Sequence, residues 1–518
     1  MPDNLNVKNL NPLDATFLAM QTETAPVHVG ALLIYDKPKI NSDEQINFDS
    51  LALLKTLLEE KLLKVDKFTF RLIRFPFDIF HPIWIKDLNF NINNHIKTVS
   101  LEAPYNDVKL NQLIGTIWES PLPENKPLWE FYLVENYLND RIAVIAKVHH
   151  SLIDGVSGSN LFVQLLDLDA EIKVKPTTDS AINNKIAPTT TVYDHISQTI
   201  AYGPKIVSNI LSNQVRYFSQ LPTNAKKVSS SMNLLVKFYR SDAKSKPPLL
   251  FMAPKTPLNK PVSDSRSFSF KVFNIEEISQ IKNHYGVKIN DVIMTICSNA
   301  LRNYLLKYSE LPDSPLTAMM PISIRDESQK EMVDNQVSAA VVYLPTNESD
   351  IITQLKVVSA NAQNSKNLSS TIGETIFMDV AALLPINIQQ VLARSVYRLI
   401  SSDKINPPAN VIITNVPGPP FPLYSNSIPL ENVIPIGALG EGLGLCFAIF
   451  SYNKYISISI LSDPKMEIDI DCITDNLGSS FEALLNSVNV KVISNQAIKQ
   501  TKPISTSKMH KQVSKTKS

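Results

Sequence analysis

The sequence predicts a mixed α/β fold built from two successive units. Strand-like and helix-like segments alternate along most of the 518 residues, which is the signature of sheets covered by helices. A Pro-, Thr- and Asn-rich stretch interrupts the pattern near the middle, and the alternation restarts after it. The chain is also too long for one core, since domains run to about 100–200 residues each.

In the first half, Arg141–His150 (RIAVIAKVHH) reads as a buried strand rich in β-branched residues. The turn SLIDG follows, and residues 156–168 place apolar side chains at helical spacing. From about 173 the composition changes to KVKPTTDSAINNKIAPTTT. It closes near 262 with a second proline-rich stretch and has helical potential between. We read 1–172 as an N-terminal domain, 173–262 as a partly helical connection and 263–495 as a C-terminal domain. The second half opens with SRSFSFKVF as a strand with alternating polarity, then the helical IEEISQIKNHYG. Residues 290–306 form a strongly apolar helix that Asn290 or Asp291 is placed to cap. LTAMMPISI, VSAAVVYLP, ANVIITNVP, LCFAIFSY and YISISILS read as strands.

The bulk composition excludes several classes. Hydrophobic residues make up 44% and charged residues 19%, so the main body is expected to fold. Net charge is +1, which gives no field for nucleic acid. Residues 496–518 carry six lysines and no acid, leaving −5 for the rest. That tail is expected to be disordered, either a solubilising end or a weak attachment to an anionic membrane face. The three cysteines form no CxxC pair and suggest a reducing compartment. No apolar signal region and no run of about 18 apolar residues is visible, so membrane contact is expected to be peripheral. The Gly-rich 437–445 fails G-x-G-x-x-G at Leu445, and 155–159 fails G-x-S-x-G at Ser159.

Chemistry concentrates in His149-His150-Ser151-Leu152-Ile153-Asp154-Gly155. Alternation on a strand sends the two imidazoles to opposite faces, so one can face a cavity while the other is packed. Gly155 suits a tight turn, where positive φ is cheap only for glycine. Asp154 at that turn can hold the strand end rigid. A positioned imidazole with an ordinary pKa near 6.5 is largely neutral at pH 7 and fits general-base catalysis of direct acyl transfer. Structural roles or a two-ligand metal site (His150, Asp154) are the competing readings. A hydrolase with Ser151 is disfavoured, because adjacent strand residues point apart.

H-H-x-x-x-D-G at a strand end resembles the motif of CoA-dependent acyltransferases and of peptide-synthetase condensation domains. The remaining segments resemble the bacterial wax ester synthase/acyl-CoA:diacylglycerol acyltransferase family. They are LNPLDATFLAMQ, PVHVGAL, HPIWIKD, NKPLWEFYLVE, KVHHSLIDGVSG, KINDVIMTICSNALR, PISIRDE, VDNQVSAAVVYLP and TNVPGPPFPLY. The resemblance runs from residue 10 to about 470.

The resemblance implies two chloramphenicol-acetyltransferase-like domains with an active-site tunnel between them. It implies His150 as the base, with His149, Asp154 and Gly155 as structural support. Asn290, with Asp291 beside it, becomes an oxyanion or acceptor-site residue, against simple helix capping. Pro127, Leu128 and Trp129 become either channel-shaping or packed residues. The implied substrates are acyl-CoA and an apolar acceptor, diacylglycerol or a long-chain alcohol, with neither metal nor cofactor. The implied location is cytoplasmic, at the inner membrane face or on lipid inclusions. Condensation on carrier-bound substrates, and a non-catalytic lipid-droplet protein, are the alternatives.

Overall fold

The strand holding the paired histidines, β7 (Arg141–His149), is the centre of the first of two six-stranded sheets. Its neighbours are β2 (His28–Asp36) and β6 (Trp129–Tyr137), both antiparallel to it. Every residue of β7 after Arg141 is buried, as expected of a strand covered on both faces. The computed structural model describes residues 7–36, 49–74, 82–138, 141–153, 155–170, 246–323, 337–372, 386–402 and 404–500, with parts of 219–240. Most of the connection expected at 173–262, and the tail beyond 500, lie outside them.

Helices α1 (Pro12–Met20), α2 (Ser50–Glu60) and α4 (Gly155–Leu165) pack on one face of this sheet. On the other face lies α3 (Asp107–Glu119), with Leu110, Ile114 and Trp118 against Leu32, Ile34 and Ile145. A short strand, β5 (Ile96–Val99), ends the sheet in parallel with β6. A small separate sheet joins β1 (Val7–Asn9), β4 (Ile83–Lys86) and β3 (Phe70–Ile73). Gly30 is required where β2 and α3 meet, because a Cβ there would collide with the Ala146 carbonyl and the Trp118 indole.

The second sheet has the order β10 (Val337–Leu344), β9 (Leu316–Ser323), β11 (Val411–Pro417), β14 (Leu445–Tyr452), β15 (Tyr455–Ser462), β8 (Ser267–Asn274). It is mixed: β11 runs parallel to both β9 and β14. Helices α5 (Ile275–Tyr285), α6 (Ile289–Lys307), α7 (Ile351–Ile372) and α9 (Ile470–Gln500) belong to this half, with α8 (Ile386–Ser401) packed instead on α1. Asn274 caps α5 and Gly286, at φ 66°, closes it. Along α9 the helix continues through Gln500, into the stretch whose composition suggested disorder.

One strand joins the halves. β13 (Ile428–Ile436), followed from β12 (Tyr424–Ser425), comes from the second half of the chain yet pairs antiparallel with β2. It completes the first sheet, not the second. One core cluster accordingly runs from Leu32 and Ile145 through Ile434 to Phe447 and Ile458 without a break. Trp118 Nε1 donates to Gly437 O at 3.2 Å, and Tyr452 OH donates to Leu430 O at 3.0 Å. These bonds tie α3 and β14 to the crossing segment.

Candidate active site

β7 stops at His149, and His150 begins the turn. The strand read from sequence is therefore one residue shorter, but the two rings still part company. His149 is sealed, at 1% exposure. Its Nδ1 accepts the Ser151 N–H at 3.1 Å, so the ring proton belongs on Nε2, which donates to Gln21 Oε1 at 2.7 Å. Ser151 Oγ lies 2.7 Å from the same Nδ1. Burial, then the nearby His150 and Arg74, push His149 down to about 3. A ring so weakly basic does not activate a hydroxyl near neutral pH, and Ser151 is itself buried. The Ser151–His149 pair closes the turn on the end of β7.

His28, opposite His149 in register, is also enclosed. Its Nε2 accepts the Leu122 N–H at 3.2 Å, and its ring meets His149 edge-on at 6.1 Å. Burial, reinforced by the Lys147 charge, lowers its pKa well below the usual value. Lys147 is itself buried in β7, where its ammonium donates to the carbonyls of Ile117 and Ser120 at the end of α3. A cation there complements the negative end of the helix dipole. Strand, helix end and both histidines are thereby locked together.

His150 is the half-buried member. Its backbone N–H donates to Val27 O at 2.9 Å, and its ring stacks on Phe17 of α1, centroids 4.0 Å apart at 23°. Asp154 lies outside the described residues. Gly155 is the first residue of α4, not a residue of the turn before it. The positive-φ glycines among the described residues are Gly286 and Gly442, so the left-handed turn expected at Gly155 is replaced by helix initiation.

Pro127, Leu128 and Trp129 are all buried. Trp129 Nε1 donates to Phe68 O at 2.8 Å and its ring stacks on His95, whose Nδ1 lies 2.8 Å from Trp129 O. Leu128 O accepts the His149 N–H at 3.0 Å. The segment braces the strand end from within the core and presents no exposed side chain to a channel.

Asn290 and Asp291 fall at the second and third positions of α6, whose N-cap is Lys288. Neither occupies the N-cap position, but Asp291 caps the helix start from its third position through a capping box with Lys288. Asp291, buried, accepts the Lys288 N–H at 3.0 Å. Asn290 is half-buried and its Oδ1 accepts from Asn415 Nδ2 of β11 at 2.9 Å. That bond turns the Asn290 amide nitrogen, a donor, away from Asn415. β11 meets α4 just beyond this pair, where Ser159 Oγ donates to Pro417 O at 2.9 Å. The Asn290–Asn415 pair thus belongs to the part of the second half that abuts the helix following the His-His turn.

Sequence reading missed Phe17, Gln21, His28, Ser151 as a partner of His149, and Asn415. Phe17, Gln21 and Asn415 lie in segments (LNPLDATFLAMQ, TNVPGPP) recognised only as parts of a familial pattern. Among the described residues there is no group of three or more metal-ligating side chains.

The chain matches the wax ester synthase/diacylglycerol acyltransferase catalytic domain over residues 10–293 and the C-terminal domain of the same family over 333–485. It is 27% identical over 483 residues to a Mycobacterium tuberculosis protein provisionally named a diacylglycerol O-acyltransferase, covering 92% of this chain and 90% of that one. An O-acyltransferase of Acinetobacter baylyi is 26% identical, with 88% and 92% covered. The fold matches a wax ester synthase/diacylglycerol acyltransferase from Marinobacter aquaeolei with a TM-score of 0.64 at 22% identity, covering 93% of this chain and 100% of that one. With the catalytic-domain match alone spanning more than half of its length, this chain belongs to the wax ester synthase/diacylglycerol acyltransferase family.

Proposed function

We propose that the protein transfers a long-chain acyl group from acyl-CoA to diacylglycerol or to a long-chain alcohol, with His150 as the general base. Three imidazoles meet at the end of β7, and His150 is the one left half-exposed; this observation carries the assignment. His149 and His28 are buried and held neutral. In the proposed step His150 takes the hydroxyl proton as the acceptor oxygen attacks the thioester carbonyl. The new C–O bond forms, the C–S bond breaks, and the imidazolium returns the proton to the departing CoA sulfur. Asn290, its amide oriented by Asn415, is the proposed donor to the tetrahedral oxyanion. Phe17 holds the imidazole by stacking, and the Val27 carbonyl fixes the turn.

The reaction as proposed uses acyl-CoA as a substrate and no cofactor. Its acceptors are lipids, so the protein is proposed to work peripherally at a membrane face or lipid inclusion, by way of a passage between the two halves. No helix among the described residues is long and apolar enough to cross a membrane.

The test mixes purified protein with palmitoyl-CoA and either hexadecanol or dioleoylglycerol and follows CoA release. His150→Ala is expected to lose about 10²–10⁴-fold in turnover. Wild-type rates in that variant would refute the assignment.

A further inference from the structure

Helix α8 covers α1, the helix that stacks Phe17 on His150. Thr16, the neighbour of Phe17, donates to Gln389 of α8 at 3.2 Å. Ile386 and Ile400 are buried on the inner side of α8, and Tyr397 is half-buried. The outer side is apolar but exposed: Ile388 at 42%, Val391 at 59%, Leu392 at 48% and Leu399 at 39%. At about 100° per residue these four fall within an arc of roughly 100°. Ser395 lies in the same arc. Arg394 and Arg398, both exposed, lie along one flank. The sixteen residues of α8 contain two arginines and no acid.

An exposed stripe of long aliphatic side chains edged by arginine is the pattern of a helix lying in the plane of a lipid interface. The aliphatic side chains enter the acyl region, while the guanidinium groups reach the headgroups. We propose that the outer face of α8 docks on an anionic phospholipid surface, with Val391 and Leu392 inserted and Arg394 and Arg398 on the phosphates. The charge on the helix selects this occupant over a second copy of the chain, which would set arginine against arginine across a twofold contact. Docking there places the lipid one helix away from the ring stack of Phe17 and His150. The proposal rests on the reading of the protein as an enzyme of lipid substrates, but its test does not depend on turnover.

Full-length protein is sedimented with vesicles of phosphatidylcholine, with and without phosphatidylglycerol. Wild type is expected to partition more strongly to the anionic vesicles. Val391→Glu combined with Leu392→Glu is expected to weaken partitioning at least about tenfold. Arg394→Gln and Arg398→Gln should each cost about fivefold, and only on anionic vesicles. The tail is separated by a full-length variant with Lys508, Lys511, Lys515 and Lys517 all changed to Gln, which should keep most of the binding. CoA release with octanol, a dispersed short acceptor, should be unchanged in the α8 variants and shows that they are folded. Loss of turnover with every acceptor in wild type, with vesicle binding intact, would sink the catalytic reading and leave the docking face standing. The docking face is wrong if the Val391/Leu392 variant binds like wild type or if the tail variant alone abolishes binding. A wild-type dimer in sedimentation velocity that the same face variant dissociates would also overturn it, giving the face to a second copy.

Discussion

Acidification should unfold this protein from its histidine-rich strand end. His28, His95 and His149 are buried, and burial is the first cause of each downward shift, His149 to about 3 and His95 to about 4. In the unfolded chain each returns to a pKa near 6.5. The folded values lie below the unfolded ones, so the unfolded state takes up protons first. Their stabilisation is complete above about pH 6.5 and is lost as the pH falls toward the folded values. A ring kept neutral in the fold but free to protonate when unfolded costs about 2 kcal/mol more at pH 5 than at pH 7. Three such rings give an upper bound of about 6 kcal/mol, a large fraction of a typical folding free energy of roughly 5–15 kcal/mol. The assay is urea unfolding at pH 7, 6 and 5, read by fluorescence of Trp84, Trp118 and Trp129, all buried. The midpoint should fall steeply below pH 6.5, and His95→Phe should make the fall shallower by about one proton. A midpoint that holds steady between pH 7 and pH 5 would refute the claim that these rings are neutral in the fold.

Two substitutions separate structural from chemical roles at the site. Ser151→Ala removes one partner of His149 while the backbone N–H at residue 151 still reaches Nδ1, so stability should fall by about 1 kcal/mol with turnover within a few-fold of wild type. A loss as large as that expected for His150→Ala would instead make Ser151 a participant in the chemistry. Asn415→Ala frees the Asn290 amide to rotate, and kcat should drop about tenfold or more with KM for acyl-CoA and the urea midpoint nearly unchanged; an unaltered kcat would remove Asn290 as the oxyanion donor.

Local pattern was the legible part of this sequence. The strand before the histidines, the helix after them, and α5 and α6 with their neighbouring strands follow from periodicity and punctuation, each within a few residues. What stayed hidden is what depends on distant partners. β13 is not among the strands read from sequence, and nothing in its own residues says that its edge belongs to β2, some 400 positions earlier. Lys147 looks like a surface residue in a buried strand, because its partners are the open carbonyls at the end of a helix, the later one 27 positions before it. Capping at Asn290 was misplaced for the same reason: local preference favours Asn at a helix start, but its side chain is used across the fold, by Asn415.

The same non-local contacts explain why two adjacent histidines sit in opposite environments, one sealed and one half-buried. His149 ends the strand on the face covered by α3, where Gln21 and Ser151 fill its hydrogen-bonding capacity and His28 packs beside it. Its service is to fix where β7 stops. His150 follows this rigid end, where its backbone N–H bonds to Val27 and its ring stacks on Phe17. Val27 and Phe17 belong to the N-terminal segment, while α4, leading away from the turn, bonds through Ser159 to Pro417 of the second half. On the proposed reading, His150 takes its position from its buried neighbour His149, whose own ring is kept neutral by burial.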